Sequence, residues 1–204
     1  MLAAMYHYPG GTSFQRDRAG YLFCSNFWCD LLHTTAYNGQ PNDLGANLGS
    51  LALSVLAVTL GLYWWLLAQS MPAARTRPAI LVLGLTGSVG MGIVAEVSVK
   101  PGTIAHGLAI VMAGPCGLAA MLVALAAQWK RGLHKLAGVG ALGLALALWN
   151  LVQYSREYLF HAASAPLLPA VQKAATLLVL AWVQATTWKA VAASPSPGHR
   201  SRAT

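Results

Sequence analysis

The sequence predicts an all-α protein: a polytopic transmembrane helix bundle with an outer amphipathic segment. Hydrophobic residues make up 56% of the 204 residues and charged residues only 9%, which is too little charge for the surface of a soluble domain. Five stretches reach the roughly 20 apolar residues that a helix needs to cross the hydrocarbon layer. Short linkers with Gly and Pro separate them, so the chain is expected to form one antiparallel bundle.

The predicted spans run approximately over residues 46–69, 78–97, 105–129, 136–158 and 167–188. Residues 1–45 precede them, and the aromatic residues at 21, 23, 27 and 28 predict a helix there that lies on the lipid headgroups. Residues 191–204 form a tail of small and polar residues that is expected to be disordered.

The basic residues indicate an orientation. The net charge is +8, but the Lys and Arg residues are scattered in small groups, which argues against nucleic acid and leaves membrane lipids as the expected partners. The linkers at 75–77 and 130–135 are basic, whereas the short linkers on the opposite side share only Lys100. The positive-inside rule then places the C-terminus in the cytoplasm and residues 1–45 outside a cell (inner or plasma) membrane.

This topology gathers ionisable side chains at the outer boundary of the membrane. They are Asp30, His33, Glu96, His106, Glu157 and His161. The polar stretch "NFWCDLLHTTAYNGQPND", residues 26–43, lies on the same side and is predicted to cover this site as a reentrant or surface-lying lid. Asp30 and His33 are one turn apart and are expected to point together toward the bundle mouth.

The fourth predicted span carries a polar stripe. Asn150, Tyr154, Glu157 and His161 are spaced i, i+4, i+7 and i+11, so they share one helix face. Ionisable side chains at such depth are candidates for function. The alternative is a structural network of hydrogen bonds between helices.

A metal site is one interpretation of these residues. His33, His106 and His161 are the candidate ligands of a divalent metal such as zinc, which needs three protein ligands and an open position for catalysis. No compact ligand motif is present. The alternative is a set of ion pairs in which Asp30, His33 and Glu157 face Arg156 and Lys173.

The predicted function is binding, or metal-assisted hydrolysis, of a lipid headgroup or small amphiphile. Asp30 and Glu157 are the candidate catalytic residues. The candidate substrate-binding residues are Asn26, Asn42, Glu96, Asn150 and Tyr154. Two other functions stay open: a carrier or channel lined by the polar stripe, and a non-catalytic membrane scaffold.

Four stretches of the sequence resemble a known family. "YPGG", followed by "GYLFCSNFWCDLLHTTAYNGQPN", then "PGTIAHGLA" and "LPAVQK", is similar to the bacterial multi-pass family of domain of unknown function 998. The resemblance implies a six-helix bundle without an established activity. It places a family signature at residues 29–31 and a loop histidine at His106. It also implies a helix before "YPGG", where only "MLAAM" stands, so we expect either a missing first helix, which we favour, or a five-span protein.

Overall fold

The computed structural model describes residues 1–71, 75–97, 104–160 and 165–192, and it confirms the all-α class. Its elements are α1 (Leu2–His7), a 3₁₀ helix (Cys29–Leu32), α2 (Asp43–Gln69), α3 (Thr76–Glu96), α4 (Ile104–Lys130), α5 (His134–Phe160) and α6 (Leu168–Ala192). The last five helices are long and apolar enough to cross a membrane. The chain is therefore a multi-pass membrane protein.

The five long helices begin and end within four residues of the predicted spans. Hydropathy alone is sufficient to predict these helices, because a membrane helix must keep an apolar surface along the whole hydrocarbon thickness. The predicted disordered tail lies outside the described residues from position 193 onward.

Small residues bring neighbouring helices close together. A side chain at Gly84 would collide with Trp64 of α2, and one at Gly87 would lie 2.7 Å from the backbone nitrogen of Gly117 in α4. Gly140 of α5 leaves space in the same way for Trp182 of α6. Close backbone approach of this kind is how helices associate in lipid, where burial of apolar surface gives little driving force.

Trp182 lies at the centre of the bundle, in the half away from the outer segment. Its ring is fully buried and contacts the rings of Tyr63 and Trp64, with centroids 5.8 Å and 6.2 Å away. The indole nitrogen donates to Oε1 of Gln128 at 3.0 Å, and Nε2 of Gln128 donates to Thr186 at 3.2 Å. This polar contact joins α4 to α6 inside the apolar core.

The prediction of a helix along residues 21–28 is wrong. The outer segment consists of turns, with the 3₁₀ helix Cys29–Leu32 as its main helical element between α1 and α2. Gly10 and Gly11 have positive φ angles, a backbone geometry that ends regular helix. The hydroxyl of Thr12 accepts from the backbone nitrogens of Phe14 and Gln15, and such local bonds compete with helix formation.

Candidate functional site

Residues 26–33, called here the plug segment, lie between the outer ends of the helices. Leu32 packs with Leu53 of α2 and Val94 of α3. The backbone nitrogen of Trp28 donates to Oε1 of Gln172 in α6, at 3.1 Å. Of the two expected forms, the surface-lying lid is wrong: the segment is packed into the bundle, as a reentrant segment would be, because its Leu and Phe side chains bury apolar surface there.

Asn26 and Asp30 form the centre of the plug segment. Nδ2 of the fully buried Asn26 donates to the carbonyl of Gly11 at 2.8 Å and to Oδ2 of Asp30 at 3.0 Å. Its Oδ1 accepts from the nitrogen of Leu22 at 2.9 Å. The Asp30 carboxylate also accepts from the backbone nitrogen of Phe27 at 2.8 Å. Asn26 was predicted to bind substrate, but its amide is engaged within the outer segment.

The buried position of Asp30 changes its protonation. The residue is 4% exposed, and burial raises its pKa from 3.8 to about 7. The hydrogen bonds from Asn26 and Phe27 and the charge of Lys173 lower this pKa, and the charge of Glu157 raises it further. Desolvation is the largest effect, since the carboxylate loses water that two neutral donors replace only in part. Asp30 therefore exchanges its proton near neutral pH.

Lys173 of α6 faces this group and is only 1% exposed. Its ammonium donates to two backbone carbonyls, those of Asn26 and, at 3.2 Å, Pro169. It also lies 5.4 Å and 5.1 Å from the ring centres of Tyr21 and Phe23, within the range of a cation–π contact. Lys173 thus joins the last helix to the N-terminal part of the chain.

Helix α5 brings part of its predicted polar stripe to the same place. Tyr154 is buried, and its ring contacts that of Phe27 edge to face at 6.2 Å between centroids. Glu157 lies close enough for its charge to act on Asp30. Its buried Oε2 and Oδ1 of Asn150 accept no hydrogen bond from the described residues. His161, the last residue of the stripe, lies outside the described residues.

His33 has other described neighbours than Asp30, and the expectation that the two side chains point together stays a prediction. His33 and His106 are both buried. Burial, and then the charge of His106, lower the pKa of His33 to about 4, so His33 is neutral at physiological pH. The chain leaves the 3₁₀ helix at His33 with an extended backbone.

The zinc interpretation stays a prediction. Within the described ranges no three His, Cys, Asp or Glu side chains are grouped so that they could hold a metal ion. His33 and His106 are the two proposed ligands that can be located there, and His161, the third, lies outside those ranges.

Asn42 and Glu96, two predicted binding residues, have other partners. Nδ2 of Asn42 donates to the carbonyls of His33 at 2.8 Å and Leu31 at 3.3 Å, so it holds the end of the plug segment. Glu96 is exposed and accepts from the hydroxyl of Ser54 at 3.1 Å. No described contact joins Glu96 to Asp30.

The predicted ion pairs are also revised. Arg156 is exposed and donates to Gln153 of its own helix at 3.2 Å. Lys173 does lie near Asp30, but its hydrogen bonds go to carbonyl oxygens. The sequence predicts Lys173 only as an ion-pair partner and does not predict that its ammonium is buried. The available signal was that it is the single charged residue between Leu167 and Trp188, since an isolated charge inside a span usually has a function.

Comparisons with protein-family models, with curated proteins and with solved structures found no match to this chain. The resemblance to the family of domain of unknown function 998 therefore stays a prediction. The interpretation of the site depends on the geometry of the chain's own residues.

Proposed function

We propose that this protein binds the polar headgroup of a membrane lipid or a small amphiphile at the outer end of its helix bundle. The observation that carries the proposal is the group formed by Asp30, Glu157 and Lys173 beside the plug segment. Three ionisable side chains from three parts of the chain meet there. Ionisable groups at the edge of the hydrocarbon layer are costly for a fold and are a frequent mark of a binding site.

The chemistry of the group favours a ligand with hydrogen-bond donors. Glu157 offers a buried carboxylate oxygen that nothing in the described chain satisfies, and leaving such an acceptor unpaired costs free energy. Lys173 has three donors, of which two go to carbonyl oxygens. A headgroup with a hydroxyl or ammonium donor next to an anionic or carbonyl oxygen complements both residues.

The orientation belongs to the same proposal. We infer that the protein lies in a cell membrane with the plug segment outside, because the basic linkers at 75–77 and 130–135 are at the opposite end of the bundle. The exposed thiol of Cys24 gives a direct test. In intact cells it should react with a membrane-impermeant maleimide, and the C24S variant should lose that labelling. Reaction only after permeabilisation would reverse the orientation.

Native mass spectrometry of the purified protein tests the binding. Short-chain phospholipids with ethanolamine, glycerol or choline headgroups serve as probes. We expect stoichiometric adducts with the wild-type protein and about a tenfold loss in Glu157→Ala, the effect of losing roughly 1.4 kcal/mol. Glu96→Ala is the matched control, since Glu96 is an outer carboxylate that lies apart from the group. Equal adducts in both variants would contradict the proposal.

Hydrolysis is a second candidate, favoured by the pKa of Asp30. A carboxylate with a pKa of about 7 can both accept and donate a proton at neutral pH, as a general acid–base group must. Incubation with the same probes tests this function. Release of a water-soluble headgroup fragment by the wild-type protein but not by Asp30→Asn would support it, and unchanged probes would leave binding alone.

A further inference from the structure

Helix α1 has two different faces. Ala4 and, at the end of the helix, Tyr8 are buried and pack with Leu31 and Ala36. On the other face Leu2 is 82% exposed and Tyr6 is 85% exposed. These two residues are four positions apart and so lie on the same side of the helix. A short helix thus presents an aliphatic and an aromatic side chain that contact almost nothing in the rest of the described chain.

The location of α1 indicates what lies beside that face. Leu48 of α2 packs against the same small core as Ala4 and Tyr8. It is five residues from the first residue of α2, which is about 7.5 Å along the helix axis. Helix α1 therefore lies beside the first turns of a membrane-spanning helix, at the level where that helix enters the hydrocarbon layer.

The lipid-facing side of α2 begins at that level. Its exposed apolar residues repeat at helical spacing along the span: Leu44, Leu51, Val55, Val58 and Leu62. In a chain that crosses the membrane these side chains contact acyl chains. Leu48, which packs against the same small core as α1, lies between Leu44 and Leu51 on α2, so α1 lies beside the start of this line.

The composition of α1 and the charge of the outer segment also favour contact with a lipid surface. Between Met1 and Tyr8 no Asp, Glu, Lys or Arg interrupts the sequence. Tyrosine is enriched where headgroups meet hydrocarbon, since its ring is apolar and its hydroxyl polar. Arg16 and Arg18 are exposed on the same outer segment, where they can attract anionic headgroups.

We propose that the face of α1 formed by Leu2 and Tyr6 inserts into the boundary between headgroups and hydrocarbon of the membrane that α2 spans. Helix α1 is then a surface anchor for the outer segment. This anchoring is separate from ligand binding by Asp30, Glu157 and Lys173, so either can fail without the other. It also moves the predicted interfacial contact from residues 21–28 to the N-terminal helix.

Spin-label accessibility tests the anchor. The three cysteines are replaced by alanine, and a nitroxide is attached in turn to Y6C, to Q40C and to V58C. Gln40 is exposed in the turn before α2 and reports water, whereas Val58 reports lipid. The labelled proteins are reconstituted into vesicles of zwitterionic and anionic phospholipids. Power saturation then measures collisions with oxygen, which concentrates in lipid, and with the water-soluble complex NiEDDA.

We expect the ratio of oxygen to NiEDDA collisions at residue 6 to be several-fold higher than at residue 40 and close to that at residue 58. A label at Leu2 should give the same result, which protects the test against a local effect of one substitution. A ratio at residue 6 equal to that at residue 40 would overturn the proposal. Low collision with both reagents would also overturn it, since it would indicate coverage by a second protein chain.

Discussion

The ammonium of Lys173 donates a hydrogen bond to the backbone carbonyl of Asn26, which lies 147 positions earlier in the chain. This contact connects the last membrane helix to the plug segment. The neighbouring bond from Trp28 to Gln172 repeats the connection one residue along α6. The outer site therefore depends on a contact between the two ends of the described chain.

Lys173→Met should loosen this connection. Each hydrogen bond from a charged donor contributes about 1.5–3 kcal/mol, part of which is recovered because methionine no longer has to bury a charge. We expect a net loss of about 1–2 kcal/mol in the free energy of unfolding, measured in mixed micelles with SDS. Lys189→Met, at the exposed end of the same helix, is the control and should change little. Equal stabilities of the two variants would show that Lys173 does not hold the plug segment.

The stability of the outer segment should decrease as pH rises from about 4 to about 7. Folding raises the pKa of Asp30 from 3.8 to about 7, so its contribution is complete below pH 4, declines between the two pKa values and is lost once the pH has passed the folded value. The free energy of unfolding should therefore differ by at most about 4 kcal/mol between the two ends of this pH range. Asp30→Asn resembles the protonated form and should abolish this dependence, leaving the variant at least as stable as wild type at pH 7.

Unfolding curves at several pH values between 4 and 8 measure this effect. Asp17→Asn is the control because Asp17 is exposed in the same segment and should leave the dependence intact. If Asp30→Asn kept the wild-type dependence on pH, the dependence would have another origin.

Gly11 should tolerate substitution much less than Gly39. Both have positive φ, 84° and 81°, so alanine strains the backbone similarly at each. A Cβ at Gly11 would lie 2.5 Å from the backbone nitrogen of Asn38, whereas nothing lies within 4 Å at Gly39. We expect Gly11→Ala to be less stable than Gly39→Ala by about 1–3 kcal/mol. Thermal unfolding in one detergent compares them, and similar midpoints would contradict the close packing of Gly11 against Asn38.

A second pair of glycines tests how closely the membrane helices pack. Gly87 approaches the backbone of Gly117, which cannot move aside, while a Cβ at Gly138 meets nothing within 4 Å. Gly87→Ala should cost about 1–3 kcal/mol. Gly138→Ala should be neutral or slightly stabilising, because alanine favours helix over glycine. The contact between α3 and α4 would have to be reassigned if the two variants unfolded alike.

The bundle was predictable from sequence and the outer site only in part. A membrane helix is specified locally, by an apolar surface over its own length. The stripe of Asn150, Tyr154 and Glu157 was found by the same local reasoning. The conformation of residues 21–28 and of the plug segment was missed. The helical spacing of the aromatic residues was overridden because the side chains of Asn26 and Asp30 accept from the backbone nitrogens of Leu22 and Phe27, and such local bonds compete with helix formation.

The burial of Lys173 and its hydrogen-bond partners were missed for a different reason. A lysine near the start of a membrane helix usually extends its ammonium to the headgroups. Here the ammonium stays inside because Asn26 supplies a carbonyl and Tyr21 and Phe23 supply ring faces. These partners are far away in sequence, and no local pattern records them.

The bond between Asn26 and Lys173 also sets an order for biogenesis. The plug segment is synthesised before any of the long helices, but its partner appears only with the last of them. Until α6 is inserted, the carbonyl of Asn26 has no ammonium from which to accept a hydrogen bond. The backbone nitrogen of Trp28 likewise lacks Gln172 as its acceptor. The plug segment can therefore complete its contacts only after α6 has been synthesised and inserted, so this end of the bundle is the last part of the described chain to be assembled.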